Sequence, residues 1–261
     1  MQAFQKPRIA YVVLAHGQSQ NLRRLVKQLL GAAEASRDVL VAHIDRSGGG
    51  SKRATALASW WRRIRLRHYN KVGTLVTWAA QRVARGGKNM MLATLRCLAK
   101  AYIIGSFNHF VILSASDLLL RTRQSFYWTL WMHQYLNLIP VGSVEWISPQ
   151  THLPQISDYH AAHRSARMPR RLVFECGHKA FGLEEIAHEV SIPPQLLHAN
   201  GAQWVALAPD FVKDLLAASR LINATRTRNI QVLQWIFDYS MAMQQPDERL
   251  LPTMLMNSIA C

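Results

Sequence analysis

The sequence predicts an α/β fold built on an open, mainly parallel sheet, and three observations carry that expectation. Ile9 to His16 (IAYVVLAH) is a compact apolar run rich in β-branched residues, the composition of a strand buried on both faces. Leu22, Leu25, Val26, Leu29 and Leu30 then recur at helical spacing, with Arg23, Arg24 and Lys27 on the opposite face. A second apolar run, Val39 to Ile44, ends in Asp45 and the turn Ser47-Gly48-Gly49-Gly50. Strand, helix and strand in about 37 residues form a βαβ unit with an expected right-handed crossover. Ligands of such sheets bind beyond the carboxyl ends of the strands, here near His16 and Asp45.

The remaining elements follow in order. Ala54 to Leu66 reads as a helix and Leu75 to Trp78 as a short strand. After the Gly86-Gly87 break, Met90 to Ile104 is helical. Phe110 to Leu113 (FVIL) is another buried strand, closing on Ser114-Ala115-Ser116-Asp117, and Ser125 to Tyr135 is an apolar helix. Gly142 to Arg171, with its prolines and histidines, reads as loop. The last third holds a short strand at Trp204 to Leu207 and helices at Pro209 to Ala218, Ile230 to Met243 and Asp247 to Asn257.

Composition bounds the function. With 261 residues, 49% hydrophobic and 18% charged, the chain can bury a substantial core and is not a disordered polymer. Thirty-one Lys and Arg against 15 Asp and Glu give a charge of +16, which favours anionic partners without choosing among nucleic acid, lipid headgroups, acidic peptides and nucleoside diphosphates. Cys97, Cys176 and Cys261 have no zinc-site spacing and are read as buried free thiols, or as one bridge plus one free thiol. No run approaches the ~20 apolar residues of a membrane span, and Met1 to Arg8 lacks the apolar stretch of a signal peptide. A soluble chain is therefore expected.

Asp45 and Asp117 share one situation, an acid directly after an apolar strand. A carboxylate there can accept hydrogen bonds from a ribose or a uracil N–H, or it can simply cap a turn. Glu248 lies in Pro246-Asp247-Glu248 at the start of an amphipathic helix, where acids complement the helix dipole and where a general base would also fit. Ser51 to Lys71 holds seven Lys and Arg, no acid, and Trp60, Trp61 and Tyr69. Such interleaving suits nucleic acid, but Leu57, Trp61 and Ile64 fit one helical stripe, so a solvated helix face is the preferred reading. The pairs His160 with His163 and Cys176 with His178 lack the further ligands of a closed metal site, and no metal is expected. No phosphate loop, dinucleotide fingerprint or nucleophile elbow occurs.

In order along the chain, Arg8 to Gly17 (RIAYVVLAHG), Ala42-His43-Ile44-Asp45, Phe107 to Thr122 (FNHFVILSASDLLLRT), Phe174-Glu175-Cys176, Asn200-Gly201-Ala202-Gln203-Trp204 and Pro246-Asp247-Glu248 resemble the core-2/I-branching glycosyltransferases. The stretch from Cys176 to Trp204, with Phe211-Val212 after it, is most similar to the peptide O-xylosyltransferases. The resemblance implies a GT-A-type fold with a Rossmann-like nucleotide-sugar-binding half. It implies a single glycosyltransferase domain, with a nucleotide-binding half at about 1–140 and an acceptor and catalytic half at about 141–261. It further implies a UDP-sugar donor, inversion at the anomeric carbon and no metal cofactor. By motif, Glu248 is the general base; Asp45 holds the uracil or ribose, with Leu14 and His16 at the strand end beside it; Asp117, Gln203 and Trp204 line the sugar and acceptor side.

The same resemblance implies an acidic peptide or glycan acceptor, no nucleic-acid partner and a Golgi location. Family members continue into a segment whose Arg and Lys neutralise the UDP phosphates. The sequence ending at Cys261 has no counterpart, so a C-terminally truncated domain is expected, with Arg121 and Arg123 as candidate substitutes. A catalytically inactive relative and a basic nucleic-acid-binding protein are the alternatives.

Overall fold

The computed structural model describes residues 6–16, 19–46, 49–68, 71–79, 82–83, 88–117, 119–120, 122–133, 136–139, 141–147, 174–176, 179–181, 196–201, 205–223, 228–242 and 246–258. The chain forms two compact units. One comprises Met1–Arg85, Asn89–Ile139 and Gln203–Leu216; the other comprises Gly86–Lys88, Pro140–Ala202 and Ala217–Cys261. The chain thus returns to its first unit through a short segment beginning at Gln203, a return that no local pattern in the sequence announces.

The first unit is a five-stranded sheet. Its strands are β1 (Ile9–Ala15), β2 (Val39–Ile44), β3 (Thr74–Trp78), β4 (His109–Ser114) and β9 (Ala206–Leu207), in the order β3-β2-β1-β4-β9. Pairings among the first four are parallel, and only β9 runs antiparallel, against β4. The order follows from chemistry: β1 and β2, apolar at almost every position, are buried along their whole length and take the interior. The half-buried β3 takes the edge. Helices α1 (Ser19–Leu30) and α2 (Gly50–Arg67) are the crossovers, and they pack on each other and on β2 and β3. Helices α3 (Lys88–Ile104) and α4 (Arg123–Met132) flank β4 in sequence. Thr122 caps α4, its hydroxyl accepting the Ser125 N–H at 3.2 Å.

At the start of β2 a polar cluster lies inside the core. Asp38, 1% exposed, accepts the Ile9 N–H at 3.0 Å and the hydroxyl proton of Tyr127. Burial pushes its carboxyl up to about 6, although the Tyr127 and Ile9 bonds, with Lys6 and Arg123, pull the other way. Arg123 also acts on Tyr11 and Tyr127, so its charge is engaged with this cluster, at the end of β2 opposite Asp45.

In the second unit, β5 (Val141–Ile147) pairs antiparallel with β8 (Leu196–Gly201), and β6 (Phe174–Cys176) with β7 (Lys179–Phe181). The loop reading of 142–171 is corrected at its start. Val141–Ile147 is a strand because Val144, Trp146 and Ile147 meet Ala199, Leu197 and Leu196 across a ladder that sequence spacing does not reveal. Residues 148–171 lie outside the described residues. Helix α5 (Pro209–Ala218) follows β9 and lies in the first unit as far as Leu216, whereas α6 (Arg228–Ala242) and α7 (Pro246–Ser258) belong to the second and pack together, α7 also against β8. Arg220 binds Asp238 of α6 through two bonds of 3.1 and 2.9 Å. Among the described residues no helix is long and apolar enough to cross a membrane.

Candidate functional site

The parallel strands β1, β2 and β4 end level with one another. Ala15 pairs with Ile44 and Leu14 with Ser114. One more hydrogen bond continues each ladder past the strands: Asp45 N–H donates to the Ala15 carbonyl at 3.0 Å, and Ala115 N–H to the Leu14 carbonyl at 3.0 Å. This shared edge carries His16, Asp45 and Asp117 in the first unit, so the sheet brings these three predicted residues to one end. Leu14 is a wall of the core just beneath, 7% exposed.

Asp45 is the best-organised of them. It is 6% exposed; its Oδ2 lies 3.2 Å from His16 Nδ1, and its Oδ1 accepts the Val83 N–H at 3.2 Å. The His16 side chain is 53% exposed, so the pair presents a buried carboxylate behind an accessible imidazole. Gly49 and Gly50 make this possible. Gly49 has φ 87°, a left-handed turn that starts α2, and a Cβ on Gly50 would stand 1.9 Å from the Asp45 carbonyl oxygen. Only a glycine lets the helix begin so close to the strand end. A buried carboxylate held this way can accept hydrogen bonds from a hydroxyl or an imide N–H at the sheet edge.

Behind Asp45, two residues back along β2, His43 is buried edge-on to Trp78, with ring centroids 5.5 Å apart. Its Nε2 finds no hydrogen-bond partner among the described residues. Burial lowers its pKa, against the opposing pull of Asp45, so the ring is neutral at pH 7. Trp78 Nε1–H in turn points to the sulfur of Cys97 at 3.2 Å. Cys97 is a buried free thiol, pushed up to about 12 chiefly by burial. In the sequence His43 stands within Ala42-His43-Ile44-Asp45, a polar residue interrupting an apolar strand two positions before the acid.

Asp117 is held differently. Its Oδ2 accepts the Ser114 N–H at 2.7 Å, and its own N–H donates to the Ser114 carbonyl at 3.1 Å, so the side chain closes the turn after β4. Glu248 is exposed in the first turn of α7, in the second unit. Pro246 opens that helix, and Pro252 has no N–H to offer the Glu248 carbonyl. Thr253 anchors the helix, its hydroxyl bonding both the N–H and the carbonyl of Ala199, each at 3.1 Å. Gln203 and Trp204 lie outside the described residues, as do His160, His163, His178 and Arg121. Among the described residues no group of three or more His, Cys, Asp or Glu could hold a metal ion. In the basic segment, Leu57 and Trp61 are buried and Ile64 packs against the core, as the solvated-face reading requires.

Solved structures similar to this chain include the following three. The mannosyltransferase PcManGT from Pyrobaculum calidifontis, in complex with GDP-Man and Mn2+, is 12% identical with a TM-score of 0.39, and the match covers 98% of this chain. This chain spans 65% of that protein, just under two thirds. Mouse xyloside xylosyltransferase 1, apo form, is 13% identical with a TM-score of 0.38, covering 95% of this chain and 82% of its own. S. aureus TarS 1-349 is 10% identical with a TM-score of 0.31, covering 90% and 81%. No curated protein matches the chain. The sequence profile of the Core-2/I-Branching enzyme family, however, matches residues 9–261, and the chain therefore belongs to that family.

Proposed function

We propose that this chain is an inverting, metal-independent glycosyltransferase of GT-A type that moves xylose or N-acetylglucosamine from a UDP-sugar to a protein serine or a glycan hydroxyl in the Golgi. Family membership supports sugar transfer from a nucleotide donor. The observation that carries the donor site is the His16–Asp45 pair at the level ends of three parallel strands. In this reading Asp45 accepts from the uracil imide or a ribose hydroxyl, and His16 covers the base. Leu14 supplies the apolar floor, and Asp117 fixes the turn that walls the sugar side. Gln203 and Trp204 bind the sugar or the acceptor.

Glu248 is the general base of this reading. Its carboxylate takes the proton of the acceptor hydroxyl while that oxygen attacks the anomeric carbon. The bond from that carbon to the β-phosphate oxygen breaks, and UDP leaves with the electron pair. The departing diphosphate needs charge stabilisation more than a proton, so one carboxylate suffices. The chain's +16 charge suits a diphosphate and an acidic acceptor.

Calorimetry with UDP and GDP, alongside UDP-sugar hydrolysis and transfer assays with and without EDTA, tests the proposal. UDP is expected to bind, with affinity lowered about tenfold in Asp45→Asn, the loss of one charge-assisted hydrogen bond. Turnover is expected to persist in EDTA and to vanish in Glu248→Gln with UDP binding intact. Full turnover in Glu248→Gln would refute the base assignment. No binding at millimolar UDP would refute the donor site and leave an inactive relative.

A further inference from the structure

A groove of about 780 Å³ runs between α2 and the edge strand β3, in the first unit. One wall is a stripe of α2 at helical spacing: Ser51, Thr55, Ser59, Arg62 and Arg65. Leu75, Thr77 and Trp78 of β3 line the other. His16, Asp45 and Asp117 do not line it, so it is separate from the candidate donor site. Its walls are tied together at both ends. Trp61 Nε1–H donates to the Gly73 carbonyl at 3.0 Å, and the Thr77 hydroxyl donates to the Ala54 carbonyl at 2.9 Å.

Three features ask for an occupant. First, β3 pairs with β2 on one side, and among the described residues no strand pairs with its other side. Half of its main-chain donors and acceptors therefore point outward, an edge that proteins normally cover or blunt with charge. Second, the charged residues lining the groove are Arg62 and Arg65, with no acid among its lining residues. Third, Nε of Arg65, one of the groove residues, is buried without a hydrogen-bond partner among the described residues, whereas most buried polar side-chain atoms have one.

From these features we infer that the groove is a docking site for an extended acidic segment of a partner protein, which adds to β3 as a sixth strand. Main-chain hydrogen bonds to the β3 edge supply affinity, and carboxylates on the side facing α2 pair with Arg62 and Arg65. The spacing fits. Side chains on one face of a strand repeat every ~6.6 Å. Arg62 and Arg65, three residues apart, rise ~4.5 Å along the helix axis and have long side chains to close the difference. Acids at alternate positions therefore meet both arginines. A nucleic acid could satisfy the charge but has no use for an edge of peptide donors and acceptors, which is why the groove points to a peptide.

Fluorescence anisotropy with the full chain tests this, using as probe a labelled peptide of alternating Glu and Val. Two further forms carry N-methyl groups on every Val or on every Glu, and a short oligothymidylate serves as the nucleic-acid control. The parent peptide is expected to bind in a salt-sensitive way. One of the two N-methylated forms is expected to bind at least about tenfold more weakly, because methylation removes the donors that strand addition needs. Arg62→Glu with Arg65→Glu is expected to weaken the parent peptide by a similar factor. Parent-like binding by both methylated forms overturns the inference without relying on any variant. So does unchanged binding in the double variant, or tighter binding of the oligothymidylate than of the peptide.

Discussion

Replacing Asp38 with Asn should change how the stability of this protein depends on pH. Asp38 is 1% exposed, and burial raises its carboxyl from 3.8 to about 6. A raised folded-state pKa means that the folded chain holds this proton more tightly than the unfolded chain does. The stabilising contribution of the protonated form is therefore complete below pH 3.8, declines as pH rises through the window to about 6, and is absent above it. A shift of about 2 units, at 1.36 kcal/mol per unit, corresponds to about 3 kcal/mol. Asn imitates the neutral acid: its Oδ1 can still accept the Ile9 N–H, while the Tyr127 hydroxyl must turn from donor to acceptor. The rearrangement has a cost, but that cost does not vary with pH. The measurable quantity is the stability of Asp38→Asn minus that of the parent, from urea melts between pH 3.5 and 7.5. It should rise by about 3 kcal/mol across the window, roughly 6–12 °C in Tm for a chain of this size. A difference that stays flat from pH 3.5 to 7.5 would show that Asp38 does not titrate in this environment, and the reasoning from burial would fail.

Other substitutions probe the parts that hold the site and the second unit together. Gly50→Ala places a methyl group 1.9 Å from the Asp45 carbonyl oxygen; thermal melts should show a loss of about 2 kcal/mol, and UDP calorimetry a weaker fit at Asp45. Thr253→Val keeps shape but leaves the Ala199 N–H and carbonyl without their side-chain partner, for an expected loss of about 2 kcal/mol by urea melt, with no shift in UDP affinity. Arg220→Ala strands the buried Asp238 carboxylate without its paired guanidinium bonds, and the same melt should register about 2–3 kcal/mol.

Much of the first unit was legible because its signals are local. The β-branched run of β1, the run of β2 and the heptad-like leucines of α1 each declare an element, and Pro209 to Ala218 is a helix with the predicted bounds. His16, Asp45 and Asp117 were legible as candidates because they directly follow such runs. The strands of the second unit were not, since β5 and β8 are strands by virtue of each other and their residues lie about fifty positions apart.

What the sequence determined by itself was the set of elements that each bury one apolar stripe or run, and the positions of acids just beyond them. Packing alone set that Asp45 is clasped by His16 and Val83 and that Asp38 is sealed beneath Tyr127. The physical reason is distance along the chain. Hydrophobic periodicity is written within a dozen residues, whereas the partner of a buried polar group arrives from 29, 38 or 89 positions away, and only packing brings it there.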